Sequence, residues 1–106
     1  MKYNVAMSDA EINHAVAKFR YPTSSIEVLA DGGVYVEDCA NGVDDVFYFC
    51  TDASDAWPVI ISNQISINHW LNEGWAADNC GANYIYHSRP LVAAMIVYLQ
   101  MMEAKS

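Results

Sequence analysis

The chain has three cysteines and three histidines, the residue types most often found as metal ligands or catalytic groups. A structural zinc site usually has paired ligands about two to four residues apart. The nearest Cys/His pair here is Cys80 and His87, with six residues between them. The spacing therefore does not predict a metal site, and we expect no cofactor.

Nucleophilic catalysis by a cysteine needs a nearby base and a group that orients the base. Cys80, beside Gly81 and near His87 in the sequence, is the best candidate. Cys39 follows Asp38, whose negative charge would disfavour the thiolate. Since the third member could come from many positions, neither cysteine forms a catalytic signature. We expect no catalytic residues and no enzymatic activity.

Phosphate and Mg²⁺ chemistry are also weakly supported. The acid pairs Glu37-Asp38 and Asp44-Asp45 are more typical of solvated turns, because two-metal sites spread their carboxylates over several elements. Gly32-Gly33 lies in a predicted hairpin and not before a helix, so it is not a phosphate-binding loop. A helix N-terminus near Ser54 or Ser88 could still bind one anion through backbone N–H groups.

The charge distribution is the most informative feature. Between Arg20 and Arg89 there is no lysine or arginine, and the whole chain has a formal net charge of −8. That stretch has ten carboxylates: Glu27, Asp31, Glu37, Asp38, Asp44, Asp45, Asp52, Asp55, Glu73 and Asp78. Such a surface repels nucleic acid and anionic lipid and attracts basic partners. Solubility alone is the alternative explanation of the acidity.

Aromatic residues accompany these acids. We predict an interaction surface in which exposed aromatics act as hot spots among carboxylates. Its predicted members are Trp70, Trp75, Tyr84, Tyr86, Glu37, Asp38, Asp44 and Asp45. The alternative is that most aromatics fill the core, with Trp57 anchoring a helix.

The N-terminal half predicts a helix followed by a hairpin. Ser8 and Glu11 form a capping box for a helix over residues 9–19, which ends before Pro22. Residues 25–30 and 34–37 alternate as strands around the turn signal 31–33. Residues 40–42 break the second strand, and Asp44-Asp45 keeps the following connection in water. Residues 46–50 are a further short run of high β propensity, which could also form a buried loop.

The C-terminal half predicts two more helices around short strands. In the helix over residues 51–63, Asp55 and Pro58 would lie in the first turn, and Trp57, Ile60 and Ile61 would form one apolar stripe. Short strands are predicted near residues 65–67, 69–70, 75–77 and 84–86. The helix over 91–103 has almost no polar face, so it lies in the core or at the contact of a two-fold dimer.

These elements predict one α+β domain over residues 1–106, with about three helices on a small, mostly antiparallel sheet. The longest apolar stretch, residues 91–99, is too short to cross a membrane. An odd cysteine count without a close pair and the lack of a signal peptide favour the cytoplasm with reduced thiols.

Three sequence blocks carry a family resemblance. Residues 50–61 are CTDASDAWPVII, with Ile-Ser-Ile at 65–67, and blocks MSDAEIN and RPLVAAMIVYL occupy residues 7–13 and 89–99. Together they resemble the NinX-like proteins of lambda-type bacteriophages. Asp55, Trp57 and Pro58 belong to the shared motif, whereas Val92 replaces a residue that is often basic in the family. The resemblance implies a phage or prophage accessory protein in bacterial cytoplasm and no particular chemistry.

Two functional hypotheses follow. The first is a non-enzymatic protein that binds a basic host protein, such as a nucleic-acid-processing or defence factor, without contacting nucleic acid or membrane itself. The second is a nucleotide- or metabolite-binding protein, or a minor enzyme, with an aromatic pocket near Trp57, Trp70 and Tyr86.

Overall fold

The computed structural model describes residues 3–70 and 74–105 apart from the side chain of Trp70. In this part of the chain, three α-helices are separated by two groups of three strands. Within that part the elements are α1 (Asp9–Arg20), β1 (Ser25–Val28), β2 (Val34–Asp38), a 3-10 turn (Cys39–Asn41), β3 (Val43–Phe47), α2 (Ala53–Ser62), β4 (Ile65–Trp70), β5 (Gly74–Asn79), β6 (Ala82–His87) and α3 (Pro90–Lys105). The fold class is α+β, as predicted. The strands form two antiparallel sheets: sheet A has the order β1-β2-β3, and sheet B has the order β4-β5-β6.

Helix α1 begins with the predicted capping box. The Glu11 N–H donates to the Ser8 hydroxyl at 3.2 Å, and the Ser8 N–H donates to the Glu11 carboxylate at 2.9 Å. These two bonds satisfy backbone donors that the first helical turn cannot pair internally. The helix ends at Arg20, one residue later than predicted, and Tyr21 is its C-cap.

The hairpin of β1 and β2 closes at the predicted turn. Gly32 has φ of +93°, a conformation that glycine adopts without strain, and the Leu29 N–H donates to the Gly33 carbonyl at 2.8 Å. The Tyr48 ring covers Gly33 so closely that a Cβ there would lie 2.5 Å from a ring carbon. The turn therefore needs glycine at both positions.

The prediction for β3 was wrong in position. Asp44 and Asp45, expected in a solvated connection, lie within β3 opposite Glu37 and Val36 of β2. Strand β3 is an edge of sheet A, where charged side chains are tolerated because they keep water or a hydrogen-bond partner. Phe49 lies in the turn before α2 and is buried, so the end of the run 46–50 takes the buried-loop alternative and not the strand.

Helix α2 also differs from the prediction. Asp52 caps it by accepting the Ser54 N–H at 2.8 Å, and Asp55 lies in the first turn as expected. Pro58 lies in the second turn and not in the first, because it is the sixth residue of a helix that begins at Ala53. Having no N–H, Pro58 cannot donate to the carbonyl four residues earlier.

The predicted apolar stripe of α2 divides between two faces. Ala56, Val59 and Ile60 are buried, whereas Trp57 and Ile61 are 56% and 57% exposed. Trp57 therefore does not anchor the helix in the core. At 100° per residue, positions 57 and 61 share a face that turns away from the face of positions 56, 59 and 60.

Sheet B contains the short strands predicted for the aromatic region. The β4–β5–β6 register places Asn68, Ala76 and Tyr86 side by side on one face. The β5–β6 turn passes through Cys80 and Gly81, with φ of 50° and 87°. Glu73, predicted to join β4 and β5, lies outside the described residues.

Helix α3 forms the centre of the core. Every residue from Val92 to Gln100 is buried, and α3 packs against sheet B, α1 and α2. Helix α1 in turn packs against β1 and β2. The layers are therefore sheet A, α1, α3 and sheet B, which places the apolar helix in the core of its own chain. In the described residues, no helix is long and apolar enough to cross a membrane.

Candidate protein-docking surface

The outer face of sheet A gathers three carboxylates around one tyrosine. The register places Tyr35 between Glu27 of β1 and Val46 of β3, and Glu37 beside Asp44. Glu27, Glu37 and Asp44 are exposed. Because residues alternate along a strand, all these side chains lie on the face opposite the buried Val34 and Val36, which we call the acidic face.

Hydrogen bonds to Tyr35 fix part of this face. The Tyr35 hydroxyl donates its single proton to Asp44 at 2.6 Å, and Glu37 at 3.2 Å accepts the weaker branch of the same hydrogen bond. The bond to Asp44 contributes most to raising the pKa of Tyr35 far above its usual value, since a phenolate there would lie beside two negative charges. Both carboxylates keep further acceptor capacity toward solvent.

Asp38 and Asp45, predicted with this group, have different surroundings. Asp38 accepts hydrogen bonds from the Asn41 amide at 2.7 Å and the Ser24 hydroxyl at 3.0 Å, and these bonds lower its pKa. It therefore stabilises the 3-10 turn. Asp45 is exposed and accepts only the neighbouring Val46 N–H in the described structure.

A second acidic group lies where β3 approaches α2. Asp55 accepts the Tyr48 N–H at 2.8 Å. Partial burial raises the pKa of Asp55, the Tyr48 N–H lowers it, and the charges of Asp52 and Asp45 raise it further. Asp45, Asp52 and Asp55 are thus close enough to interact, and we call them the acidic edge. These charges would repel an anion at the α2 N-terminus, which disfavours the anion site considered near Ser54.

Asp31 continues the negative region at the β1–β2 turn. The Tyr48 hydroxyl donates to it at 2.7 Å, and this bond lowers the pKa of Asp31. The carboxylate therefore stays ionised to lower pH than an ordinary aspartate. Tyr48 links this turn to the acidic edge, because its backbone N–H binds Asp55.

Arg89, which ends the stretch without lysine or arginine, already has an ion-pair partner. Arg89 donates to the two Asp9 oxygens at 2.9 and 2.8 Å, and to the Cys50 carbonyl at 3.3 Å. This pair ties α1, the turn before α2 and the start of α3 together. It leaves Arg89 engaged with Asp9 and not with the acids of sheet A.

The predicted aromatic residues lie on the other sheet. Tyr84 and Tyr86 are 55% and 48% exposed on β6, whereas Trp75 on β5 is partly buried against His69, with 4.8 Å between ring centroids. Trp70 ends β4, and its side chain lies outside the described part. The structure therefore separates the predicted acids and aromatics, because helices α1 and α3 lie between sheets A and B.

Sequence reasoning missed the exposed apolar residues beside the acids. Trp57, Pro58 and Ile61 are exposed on α2, whose first turn belongs to the acidic edge. The sequence spacing contained this signal. Residues four apart share one face of a helix, so Trp57 and Ile61 form one apolar pair and Ala56 and Ile60 form another on a neighbouring face. A helix that packs on the core along one side buries one of these two pairs. Burial of Ala56, Val59 and Ile60 decides which.

The cysteine candidates are not arranged for nucleophilic catalysis. Cys80 lies in the β5–β6 turn, whereas His87 lies at the far end of the six-residue strand β6, and the His87 Nδ1 accepts the Arg89 N–H at 3.0 Å. Burial raises the pKa of the Cys50 thiol to about 12. In residues 3–70 and 74–105, no three Cys, His, Asp or Glu side chains are grouped to hold a metal ion.

A cavity lies away from the predicted aromatic pocket. It has a volume of about 700 Å³ and lies between α1 and the N-terminal segment. Its mainly apolar lining includes Tyr3, Met7, Ala15 and Phe19, with His14, Glu11, Lys18 and Pro22 completing it. Neither Trp57 nor Tyr86 contributes to it.

Comparison with known proteins identifies a family. A family model described as "Bacteriophage P22, NinX" matches residues 4–102. The match includes all three sequence blocks of the resemblance, which is thereby confirmed. No curated protein matches, and no solved structure matches.

Proposed function

The chain belongs to the bacteriophage P22 NinX family, and from this premise we propose that it is an accessory protein that acts by binding a basic host protein, without catalysing a reaction. Family membership supports the phage setting. The partner and the mode of action are our inference from surface chemistry. The bacterial cytoplasm, where a phage accessory protein meets host proteins, is the proposed location.

The observation that carries the proposal is the acidic face together with the acidic edge. Asp44 of the acidic face and Asp45 of the acidic edge are consecutive residues of β3 whose side chains lie on opposite faces of that edge strand, so the two acidic groups meet at β3. The sequence supplies no lysine or arginine between Arg20 and Arg89 to neutralise them. Like-charge repulsion within such a region is relieved when a cationic surface approaches. A basic partner therefore gains affinity and association rate here.

The chemistry of this region limits the partner class. Phosphate groups of nucleic acids and anionic lipids are repelled, so the proposed partner is a protein. Host proteins that process nucleic acid or degrade foreign DNA carry basic surfaces for their substrates, and an acidic protein competes for those surfaces. We therefore place the partner in this nucleic-acid-processing or defence class.

A titration with a fluorescent lysine-rich peptide tests the electrostatic part. We expect binding to the wild-type chain to weaken at least tenfold between low and about 300 mM salt, since screening lengths fall below about 6 Å. Asp44→Asn, which keeps an acceptor for Tyr35, should weaken binding about threefold at low salt. Glu103→Gln, an acid of the last turn of α3, is the control and should change binding little. Salt-independent affinity would overturn the proposal.

A second candidate is small-ligand binding, which the cavity beside α1 favours. A volume of about 700 Å³ is in the range of sites for small metabolites. A ligand of the native state would raise the Tm of the chain in a panel of nucleotides and metabolites. Ala15→Trp fills the cavity and should abolish that rise. A flat response across the panel would remove this candidate.

A further inference from the structure

Helix α2 exposes an apolar stripe on an otherwise well-fixed helix. Trp57, Pro58 and Ile61 occupy neighbouring positions of one face, and the indole of Trp57 remains more than half exposed. An exposed tryptophan offers a large rigid apolar area that costs little conformational entropy to bury. Tryptophan is also among the residues most enriched at binding hot spots.

The C-terminal end of α2 holds this face in place. The Ser62 hydroxyl donates to the Pro58 carbonyl at 2.7 Å, and the Asn63 amide donates to the Val59 carbonyl at 2.8 Å. On the opposite face, Val59 and Ile60 are buried. The stripe is therefore presented by a helix that needs no reordering before a partner binds.

The stripe is too small to form an interface alone. Three side chains of this kind cover at most a few hundred Å², whereas a stable interface buries about 800 Å² on each partner. The contact must therefore extend along the surface. At the N-terminal end of α2 it would reach the acidic edge, Asp45, Asp52 and Asp55, so a partner must present cations beside its apolar residues.

A second copy of this chain fits poorly. In a two-fold contact each stripe would meet the same surface of the other copy. The sequence from Arg20 to Arg89 has no lysine or arginine to place opposite the acidic edge. An anionic membrane is excluded as an occupant by the same charges.

We propose that the stripe of Trp57, Pro58 and Ile61 is the anchor for an amphipathic helix of another protein, whose lysines or arginines face the acidic edge. Two helices packed side by side bring their axes to about 8–10 Å, which lets the partner's apolar face cover Trp57. The inference rests on the proposed function and specifies its apolar contact and the form of its partner.

The test uses a synthetic amphipathic helix of leucine and lysine, about 16 residues long, and measures Kd for the full chain. Trp57→Ala should weaken binding about 30-fold, the size of a hot-spot loss of about 2 kcal/mol. Ile61→Ser should weaken it about fivefold. Tyr84→Ala is the matched control, because Tyr84 is as exposed as Trp57 but lies on sheet B, and it should change Kd less than twofold.

Two further peptides separate charge from apolar contact. A lysine–serine peptide, with serine at every leucine position, should bind the wild-type chain and Trp57→Ala with equal affinity. With glutamate in place of lysine, the peptide should not bind measurably. Asp52→Asn, which keeps a capping side chain, should weaken binding of both lysine peptides about threefold. Circular dichroism of each variant establishes that it is folded.

The outcomes distinguish this inference from the proposed function. If Trp57→Ala behaves like Tyr84→Ala while binding remains salt-dependent, the anchor is wrong and the electrostatic docking stands. If affinity is salt-independent and the glutamate peptide binds as well as the lysine peptide, both are wrong. A wild-type dimer in sedimentation that Trp57→Ala converts to monomer would assign the stripe to a second copy and overturn the inference.

Discussion

Sheets A and B have the same topology and opposite surface chemistry. Each is a three-stranded antiparallel meander with one face toward the helices. The outer face of sheet A presents Glu37 and Asp44 around Tyr35, whereas that of sheet B presents Tyr84 and Tyr86. Counts of acids and aromatics in a sequence therefore do not establish that they share one surface.

The comparison also separates two means of recognition. A long-range electrostatic field at sheet A acts before contact and sets association rate and partner class. Exposed aromatic groups act only on contact, when water is excluded around them. In this chain the apolar group that lies beside the acids is Trp57 on α2, so the two means of recognition meet at the junction of sheet A and α2.

The largest predicted effect tests whether sheets A and B are stabilised by the same core. Leu99 is fully buried in α3, and Leu99→Ala should lower the free energy of unfolding by about 3 kcal/mol. Hydrogen exchange should show equal loss of protection in β2 and β5, because α3 contacts sheet B directly and sheet A through α1. Ile61→Ala, an exposed control, should cost less than about 0.5 kcal/mol. Loss confined to β5 would show that the sheets unfold separately.

The next effect concerns the pKa of Tyr35, the tyrosine at the centre of the acidic face. Because Asp44 and Glu37 raise the pKa of Tyr35, its phenolate should form only at a pH above that of an ordinary tyrosine, near 10. The raised folded pKa means that this contribution to stability is present below about pH 10 and is lost as pH rises through the folded value.

Ultraviolet titration of Tyr35→Phe against the wild-type chain identifies that phenol. Asp44→Asn should lower the pKa of Tyr35 toward its usual value, since it removes one of the two nearby charges. An unchanged Tyr35 titration in Asp44→Asn would contradict the hydrogen bond as its cause.

The smallest predicted effect compares the two sheets through their thiols. Cys39 follows β2 of sheet A and Cys80 lies in a turn of sheet B, and both are exposed. An anionic thiol reagent should react with Cys39 a few-fold more slowly, relative to Cys80, than a neutral reagent does. The exposed carboxylates of sheet A should repel it more strongly than Asp78, which is buried beside the Cys80 turn and accepts the Gly81 N–H at 2.7 Å. Added salt should remove the difference.

Cys50 is the internal control in that experiment. It is buried, and its pKa of about 12 leaves almost no thiolate at neutral pH, so neither reagent should modify it in the folded chain. The same Cys39/Cys80 rate ratio for both reagents would show that sheet A carries no stronger negative field than sheet B.

Local signals predicted much of the fold. The capping box at Ser8 and Glu11, the Gly32-Gly33 turn and the apolar α3 each depend on neighbouring residues, and all three are present in the structure. Strand β3 was misplaced because its two aspartates oppose strand formation locally. Its pairing with β2 and the Tyr35–Asp44 hydrogen bond are long-range contacts that a local pattern does not contain.

The candidate site was less predictable for a related reason. The exposure of Trp57 depends on which face of α2 meets α3, and both faces carry apolar residues. Likewise, the alternation of apolar and polar residues along a strand does not show which sheet the strand joins. It could not predict that Tyr84 and Tyr86 belong to a different sheet from Glu37 and Asp44. Only tertiary packing decides these placements.

The central claim is that a basic partner docks on sheet A and the start of α2. Chemical-shift mapping of the amides during titration with the lysine–leucine peptide tests it most directly. We expect the largest changes at Tyr35, Asp44, Asp45 and the residues of α2, and little change in β6. Changes concentrated at Tyr84 and Tyr86, or along the cavity beside α1, with sheet A and α2 unaffected, would contradict it.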